Sequence, residues 1–221
     1  MEKYKIVIFI ILLITILIFS CFVCNAKSLP LKGKIIYIDP GHGGNDPGAN
    51  YKDIKESDIN LKISYMLSNM LESNGAIVYM TRYGDYNLAN IDALNIKRSD
   101  LSNRAYIINS SDSDLFISIH LNAYESSTWY GAQTFYTNNN KDNKVLALIL
   151  QNNFKSKLGT TRNIKLKEDG YLYNRINKLG VLIELGFITN KKERELLINE
   201  NYQYKLASII TNSIIEYYNQ V

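Results

Sequence analysis

Apolar residues recur along this chain with two different spacings. Ile59, Ile63, Met66, Leu67, Met70 and Leu71 follow a period near 3.6, which predicts an amphipathic helix that Ser57 can cap and Gly75 can end. Helical patterns also cover Lys97–Asn109, Val145–Leu158, Asn190–Asn199 and Tyr202–Tyr218. Between them lie short apolar runs that read as strands: Lys34–Ile38, Ala76–Thr81, Leu115–His120, Gln133–Tyr136 and Val181–Leu185. Residues 40–55, rich in Gly, Asn and Pro, and residues 82–96 read as loops, and no internal repeat or low-complexity tract is visible. Strands alternating with helices predict an α/β fold, with a mainly parallel or mixed twisted sheet of about six strands and helices on both faces.

The N-terminus breaks this pattern. Lys3 and Lys5 precede Ile6–Cys24, an apolar run with no polar face, whose length lies between a secretory signal and a spanning helix. A buried core helix does not explain a segment apolar all round, at the terminus and behind positive charge. We read residues 1–26 as a signal peptide or membrane anchor, with Ala26 a small-residue cleavage position. The stretch before Cys21 loosely resembles a lipoprotein box, against which the bulky Phe19 argues. Residues 27–33 form a linker and 34–221 one catalytic domain. The domain is therefore expected to be exported and to work outside the cytoplasmic membrane.

Composition narrows the chemistry. Of 221 residues, 46% are hydrophobic and 21% charged, enough for one core. The net charge of +4 is mild and no dense basic run exists, which disfavours nucleic acid as a partner and is compatible with an anionic polymer such as cell wall. Both cysteines, Cys21 and Cys24, lie in the apolar leader, so the domain has no disulfide and no thiolate ligand.

The chain has only two histidines, and each follows a predicted strand: His42 in Asp39-Pro-Gly-His-Gly-Gly and His120 at the end of Asp114-Leu-Phe-Ile-Ser-Ile-His. Two histidines, a carboxylate and an open position form a catalytic zinc pattern. His120 alone would read equally well as a hydrogen-bonded core histidine. The third ligand is open among Asp39, Asp46, Asp53, Glu56 and Glu184. Glu56 precedes a helix start, where backbone amides favour the ionised form, though a first-turn acid also suits the helix dipole. Asp39 is better placed to orient a histidine or hold the loop. Glu184 interrupts an otherwise apolar strand, where a carboxylate is costly unless it is paired or functional. It reads as a catalytic base or as an ion-pair partner of Arg82, Arg98 or Arg104. Ser118 and His120 share one strand face, but without a nucleophile elbow a serine hydrolase is not supported. Trp129, Tyr130, Tyr171 and Tyr173 are loop aromatics that can stack on sugar rings.

Asp39-Pro-Gly-His-Gly-Gly, Glu56, Asp114-Leu-Phe-Ile-Ser-Ile-His-Leu-Asn-Ala123 and Glu184-Leu-Gly-Phe-Ile-Thr-Asn190 together resemble the zinc-dependent N-acetylmuramoyl-L-alanine amidases, the amidase-3 family, over residues 34–219. The resemblance implies one Zn2+ held by His42, Glu56 and His120, with Glu184 as catalytic glutamate and peptidoglycan as substrate. Ser118-Ile-His-Leu-Asn-Ala and Trp129-Tyr-Gly-Ala-Gln-Thr-Phe-Tyr136 look most like the germination-specific subgroup, which trims spore cortex so that muramic δ-lactam can form. The rival readings are a zinc peptidase cutting within the stem peptide and a non-catalytic wall-binding protein. A partner protein and the oligomeric state are not legible.

Overall fold

The computed structural model of the chain describes residues 2–24 and 29–220. The Ala26 cleavage position and the beginning of the 27–33 linker lie outside them, as does the side chain of Cys21. In chain order the elements are α1 (Glu2–Cys24), β1 (Ile35–Pro40), β2 (Asn50–Tyr51), β3 (Ile54–Lys55), α2 (Glu56–Ser73), β4 (Ile77–Met80), α3 (Ile96–Ser110), β5 (Leu115–Asn122), β6 (Gln133–Tyr136), α4 (Asn143–Leu158), β7 (Lys165–Leu166), a 3-10 turn (Tyr173–Arg175), β8 (Gly180–Phe187), α5 (Lys191–Leu197) and α6 (Glu200–Gln220). The strands form one six-stranded sheet in the order β4-β1-β5-β8-β6-β7, and β2 and β3 form a separate hairpin. β6 runs antiparallel to β8 while the other pairings are parallel, so the sheet is mixed, as the element pattern predicts.

Side-chain alternation divides this sheet into two unlike faces. On one, Ile36, Ile38, Leu115, Ile117, Ile119, Val181, Ile183 and Leu185 join the main core, with Ile63 and Leu67 of α2, Leu150 of α4 and Ile210 of α6. α2 packs on β1, β4 and β5, α4 on β6 and β8, and α6 against both helices. On the other, a smaller cluster links Ala105 and Ile108 of α3 to Phe116, Leu182, Leu172 and Ile176. Along that second face β5 passes from Phe116 through Ser118 to His120, and β8 from Leu182 to Glu184. Polarity therefore rises toward the carboxyl ends of the parallel strands, where α/β sheets place their ligands.

Two local expectations change. Ser57 does not cap α2: the helix begins at Glu56, its N-cap residue is Lys55, and no side chain caps it. The first-turn amides, which have no partner within the helix, are satisfied by loop carbonyls instead, Glu56 N–H by Ala49 and Ser57 N–H by Pro47. Residues 40–55 contain the short β2–β3 hairpin, which with β7 is too brief to show a period in sequence. At the N-terminus α1 is a continuous helix with exposed side chains from Tyr4 to Leu17. Among the described residues no helix is long and apolar enough to cross a membrane.

Candidate metal centre

Three segments far apart in sequence converge at the polar end of the sheet. His42 follows β1, Glu56 opens α2, and His120 lies in β5 beside Glu184 of β8, its register partner. His42 Nε2 and His120 Nδ1 each lie 3.2 Å from Glu56 Oε1. The potential ligand atoms of the three residues all lie within 4.8 Å of one another. The ligand–ligand spacing of a tetrahedral zinc with bonds near 2.0–2.1 Å is about 3.3 Å. The donor set and both 3.2 Å separations therefore fit such an ion. Residue spacing left the carboxylate ligand open and the family resemblance implied Glu56, and the geometry brings Glu56 into the cluster. Asp39 is buried beneath it, Asp53 is exposed at the hairpin turn, and Asp46 hydrogen-bonds His42 from behind.

The local chain explains this convergence. His42 sits at φ 63, a left-handed conformation uncommon for a non-glycine residue, which turns its ring back from the end of β1. Its Nδ1 pairs with Asp46 Oδ2 at 2.9 Å, leaving Nε2 to face Glu56. Gly41 must lack a side chain, because a Cβ there would lie 2.2 Å from His120 Cε1. Beside it, a Cβ on Gly48 would stand 2.6 Å from Glu56 Oε2. The Glu56 carboxylate is fixed at both oxygens, with Ala49 N–H donating to Oε2 at 2.8 Å and Leu121 N–H to Oε1 at 2.9 Å. Asn60, one helical turn on, donates weakly to Oε1 as well.

Arg82 and Arg104 are fully buried, and neither pairs with Glu184. Both clamp the turn that carries His42. Arg82 donates to the carbonyls of Pro40, Gly41 and Ser57, each at 2.8–2.9 Å. Arg104 donates to Asp39 Oδ1 and to the carbonyls of Pro40 and His42. Arg98, the third arginine considered for Glu184, instead reaches Tyr171 Oη at the surface. These roles left no sequence signal beyond the arginines themselves, since they depend on which carbonyls the turn directs inward.

Electrostatics sharpen the arrangement. Burial opposes charge on His42, but the carboxylates of Glu56 and Asp46 outweigh it and lift its pKa to about 9. Burial likewise opposes ionisation of Glu56, and the two histidines outweigh it and hold the carboxyl well below the usual range. Opposite behaviour appears at Glu184, where burial dominates and pushes the carboxyl upward, with His120 opposing and Glu56 adding to the rise. Its Oε2 is buried and has no hydrogen-bond partner among the described residues. An orphaned carboxylate oxygen beside a metal-type cluster suits proton transfer and not an ion pair.

The aromatic residues separate into two groups. Trp129 and Tyr130 are exposed and, with Gln133 and Arg162, line a groove of about 670 Å³. Gln133 is the register partner of Glu184, so this groove borders the strand position of the glutamate. Arg162 lies over the Trp129 ring, 5.2 Å from its centroid, and Arg98 and Arg175 both lie against the Tyr171 ring, 5.1 and 3.6 Å from its centroid. Tyr173 does not belong with the sugar-stacking candidates: it is buried in the smaller core, and its hydroxyl faces His120. Ser118 is fully buried, and its hydroxyl contacts Asp39 and Tyr173, not a substrate space.

Known proteins match this arrangement over most of the chain. A family model for N-acetylmuramoyl-L-alanine amidases matches residues 36–216. The germination-specific N-acetylmuramoyl-L-alanine amidase of Bacillus subtilis is 42% identical over 197 residues, covering 87% of this chain and 83% of that protein. The amidase LytC of the same organism is 32% identical over 199 residues, which span 89% of this chain and 38% of LytC. The structure of the CwlD amidase from Clostridioides difficile in complex with the GerS lipoprotein superposes with a TM-score of 0.81 at 40% identity, covering 86% of this chain and 100% of that one. The chain belongs to the N-acetylmuramoyl-L-alanine amidase family.

Proposed function

We propose that this protein hydrolyses the amide between the lactyl group of N-acetylmuramic acid and the L-alanine of the stem peptide, in spore-cortex peptidoglycan that matures to muramic δ-lactam and is degraded on germination. The observation that carries the reading is the buried, unpartnered Glu184 Oε2 beside the His42–Glu56–His120 cluster. Together these supply a base and a cation site at one end of the sheet. Similarity to the germination-specific amidase supports the cortex substrate. Residues 1–26 act as a signal peptide or anchor that delivers the catalytic domain, 34–221, outside the cytoplasmic membrane. Lys3 and Lys5, in the first turns of α1 and ahead of its apolar run, support that role.

His42, Glu56 and His120 would hold one Zn2+. Zinc in this position supplies Lewis-acid chemistry, polarising a carbonyl and acidifying water. Asp46 keeps the His42 proton on Nδ1 and so leaves Nε2 available as a ligand. Glu184, ionised, accepts the proton of the attacking water and returns it to the leaving amine of L-alanine. Burial raises the affinity of its carboxyl for that proton, which suits it to act as the base. Trp129 and Tyr130, on the groove bordered by Gln133, are placed to stack on the glycan.

Mass spectrometry of peptidoglycan digested by the zinc-loaded chain tests this reading. Free stem peptides beginning with L-alanine are expected, beside glycan with bare muramic acid. Cuts within the stem peptide would replace the amidase with a peptidase, and binding without product would leave a wall-binding protein. Glu184→Gln is expected to retain zinc and lose about 10²–10⁴-fold in kcat. An equally active variant would remove the base assignment.

A further inference from the structure

Both ring nitrogens of His120 are engaged. Nδ1 faces Glu56 Oε1 at 3.2 Å and Nε2 faces the Tyr173 hydroxyl at 3.2 Å. That hydroxyl lies 3.1 Å from Ser118 Oγ, which in turn lies 2.7 Å from Asp39 Oδ2. Tyr173 comes from the turn before β8, Ser118 from β5 two residues before His120, and Asp39 from the end of β1. Three separate segments thus complete one line of contacts. Ser118 and Asp39 are fully buried, and Tyr173 nearly so.

The direction of this line follows from its ends. An imidazole that ligates through Nδ1 keeps its proton on Nε2. Nε2–H then donates to the Tyr173 oxygen, and the Tyr173 hydroxyl must donate onward to Ser118 Oγ. The Ser118 hydroxyl donates to Asp39, where an ionised carboxylate can only accept. Each proton has one destination, and reversing the line would require an acceptor at Nε2 and a donor at Asp39. Asp39 is held ionised by its contacts: burial raises its carboxyl, but Arg104, the Thr81 hydroxyl, the charge of His120 and the Ser118 hydroxyl prevail and bring it to about 2.

We propose that Tyr173 is a positioning residue for the metal centre, linking His120 through Ser118 to Asp39 so that the ring presents Nδ1 toward Glu56 and His42. The inference rests on the metal reading given above. The same carboxylate serves the second histidine. Its Oδ1 accepts from Arg104 at 2.7 Å, and Arg104 also donates to the His42 carbonyl at 2.7 Å. One buried acid is therefore the common anchor of both ligand arms, through side chains to His120 and through the backbone to His42.

The test is the zinc dissociation constant of the metal-free full-length chain, measured by competition with a chromophoric chelator, for wild type, Tyr173→Phe, Ser118→Ala and the double variant. Tyr173→Phe is expected to weaken zinc binding about 10–100-fold, the usual cost of losing the partner of a ligating histidine. Ser118→Ala is expected to weaken it less. The double variant should bind no more weakly than Tyr173→Phe alone, because that change already severs the line. Nitrogen chemical shifts of His120 in the zinc-loaded wild type should report metal at Nδ1 and a proton at Nε2. A hydroxyl with a merely structural role would lower the melting temperature and leave the zinc constant alone. Wild-type affinity in Tyr173→Phe overturns the proposal, as do losses that add fully in the double variant. Should Tyr173→Phe fail to fold, unchanged affinity in Ser118→Ala overturns it equally. Absence of zinc binding by the wild type would overturn the metal reading itself, a result distinct from these.

Discussion

The two faces of the central sheet are built from the same strands on opposite plans. On the face beneath α2, α4 and α6, the inward side chains of β1, β5 and β8 are aliphatic from end to end and essentially inaccessible. On the α3 face, the alternate residues of those strands change character along their length, from Phe116 to Ser118 to His120 and from Leu182 to Glu184. The first face holds the domain together by removing apolar area from water, a term without direction that tolerates repacking. The second places polar groups whose worth depends on one geometry and on having every partner present. The period of two separates them, so each strand serves stability with one alternate set of positions and chemistry with the other.

This contrast can be broken from either side. The largest stability effect is expected where a charge is buried on the polar face. Arg104→Met leaves Asp39 without its ion-pair partner and should cost about 3–5 kcal/mol in chemical denaturation, together with a loss of zinc affinity. A variant as stable as wild type would show that Asp39 finds another partner or protonates without consequence. On the apolar face Ile117→Ala removes a fully buried side chain and should cost about 2–5 kcal/mol. Its zinc constant should match that of wild type, and a parallel fall in affinity would show that the faces are not independent.

Asp46→Ala reverses that signature. Asp46 is partly exposed, and its carboxylate meets the outer nitrogen of His42 through Oδ2 and accepts from Gly48 N–H through Oδ1, so stability should fall by no more than about 1 kcal/mol while zinc binding weakens about 10–100-fold by chelator competition. The smallest effect at neutral pH is linkage to Asp39. Its folded-state pKa, about 2, lies below its ordinary value of 3.8. The stability it contributes is therefore complete above the ordinary value and is lost as pH falls through the folded one. Denaturation of the metal-free chain should show this loss between about pH 4 and pH 2, and Asp39→Asn should flatten it. A profile unchanged by that substitution would locate acid sensitivity elsewhere.

Much of the molecule is visible in the sequence before folding is considered. Periods of 3.6 and 2 locate the long helices and the strands of the sheet, because burying one helix face or one sheet face constrains many residues at once. The isolated acid Glu184 within an apolar strand, and the only two histidines at strand ends, stand out as candidate site residues because each violates its local pattern. Two-residue strands such as β7 violate nothing and stay hidden. Ser57 illustrates the same limit: its type suits a helix cap, yet loop carbonyls from Pro47 and Ala49 satisfy those amides.

By itself, then, the sequence determined an α/β domain of this family and a metal-type donor set, since both depend on residue types at local or motif spacing. Residue spacing alone could not separate the carboxylates, although the family resemblance pointed to Glu56; only the tertiary structure placed Glu56 against both histidines, Asp46 behind one of them, Asp39 beneath them and Asp53 at the surface. Only it assigned Arg82 and Arg104 to the turn that carries His42, and Tyr173 to His120. The physical reason is range. Hydrogen bonds and metal ligation act over a few ångströms between residues tens of positions apart, and their partners are set by the strand order and register that bring those positions together.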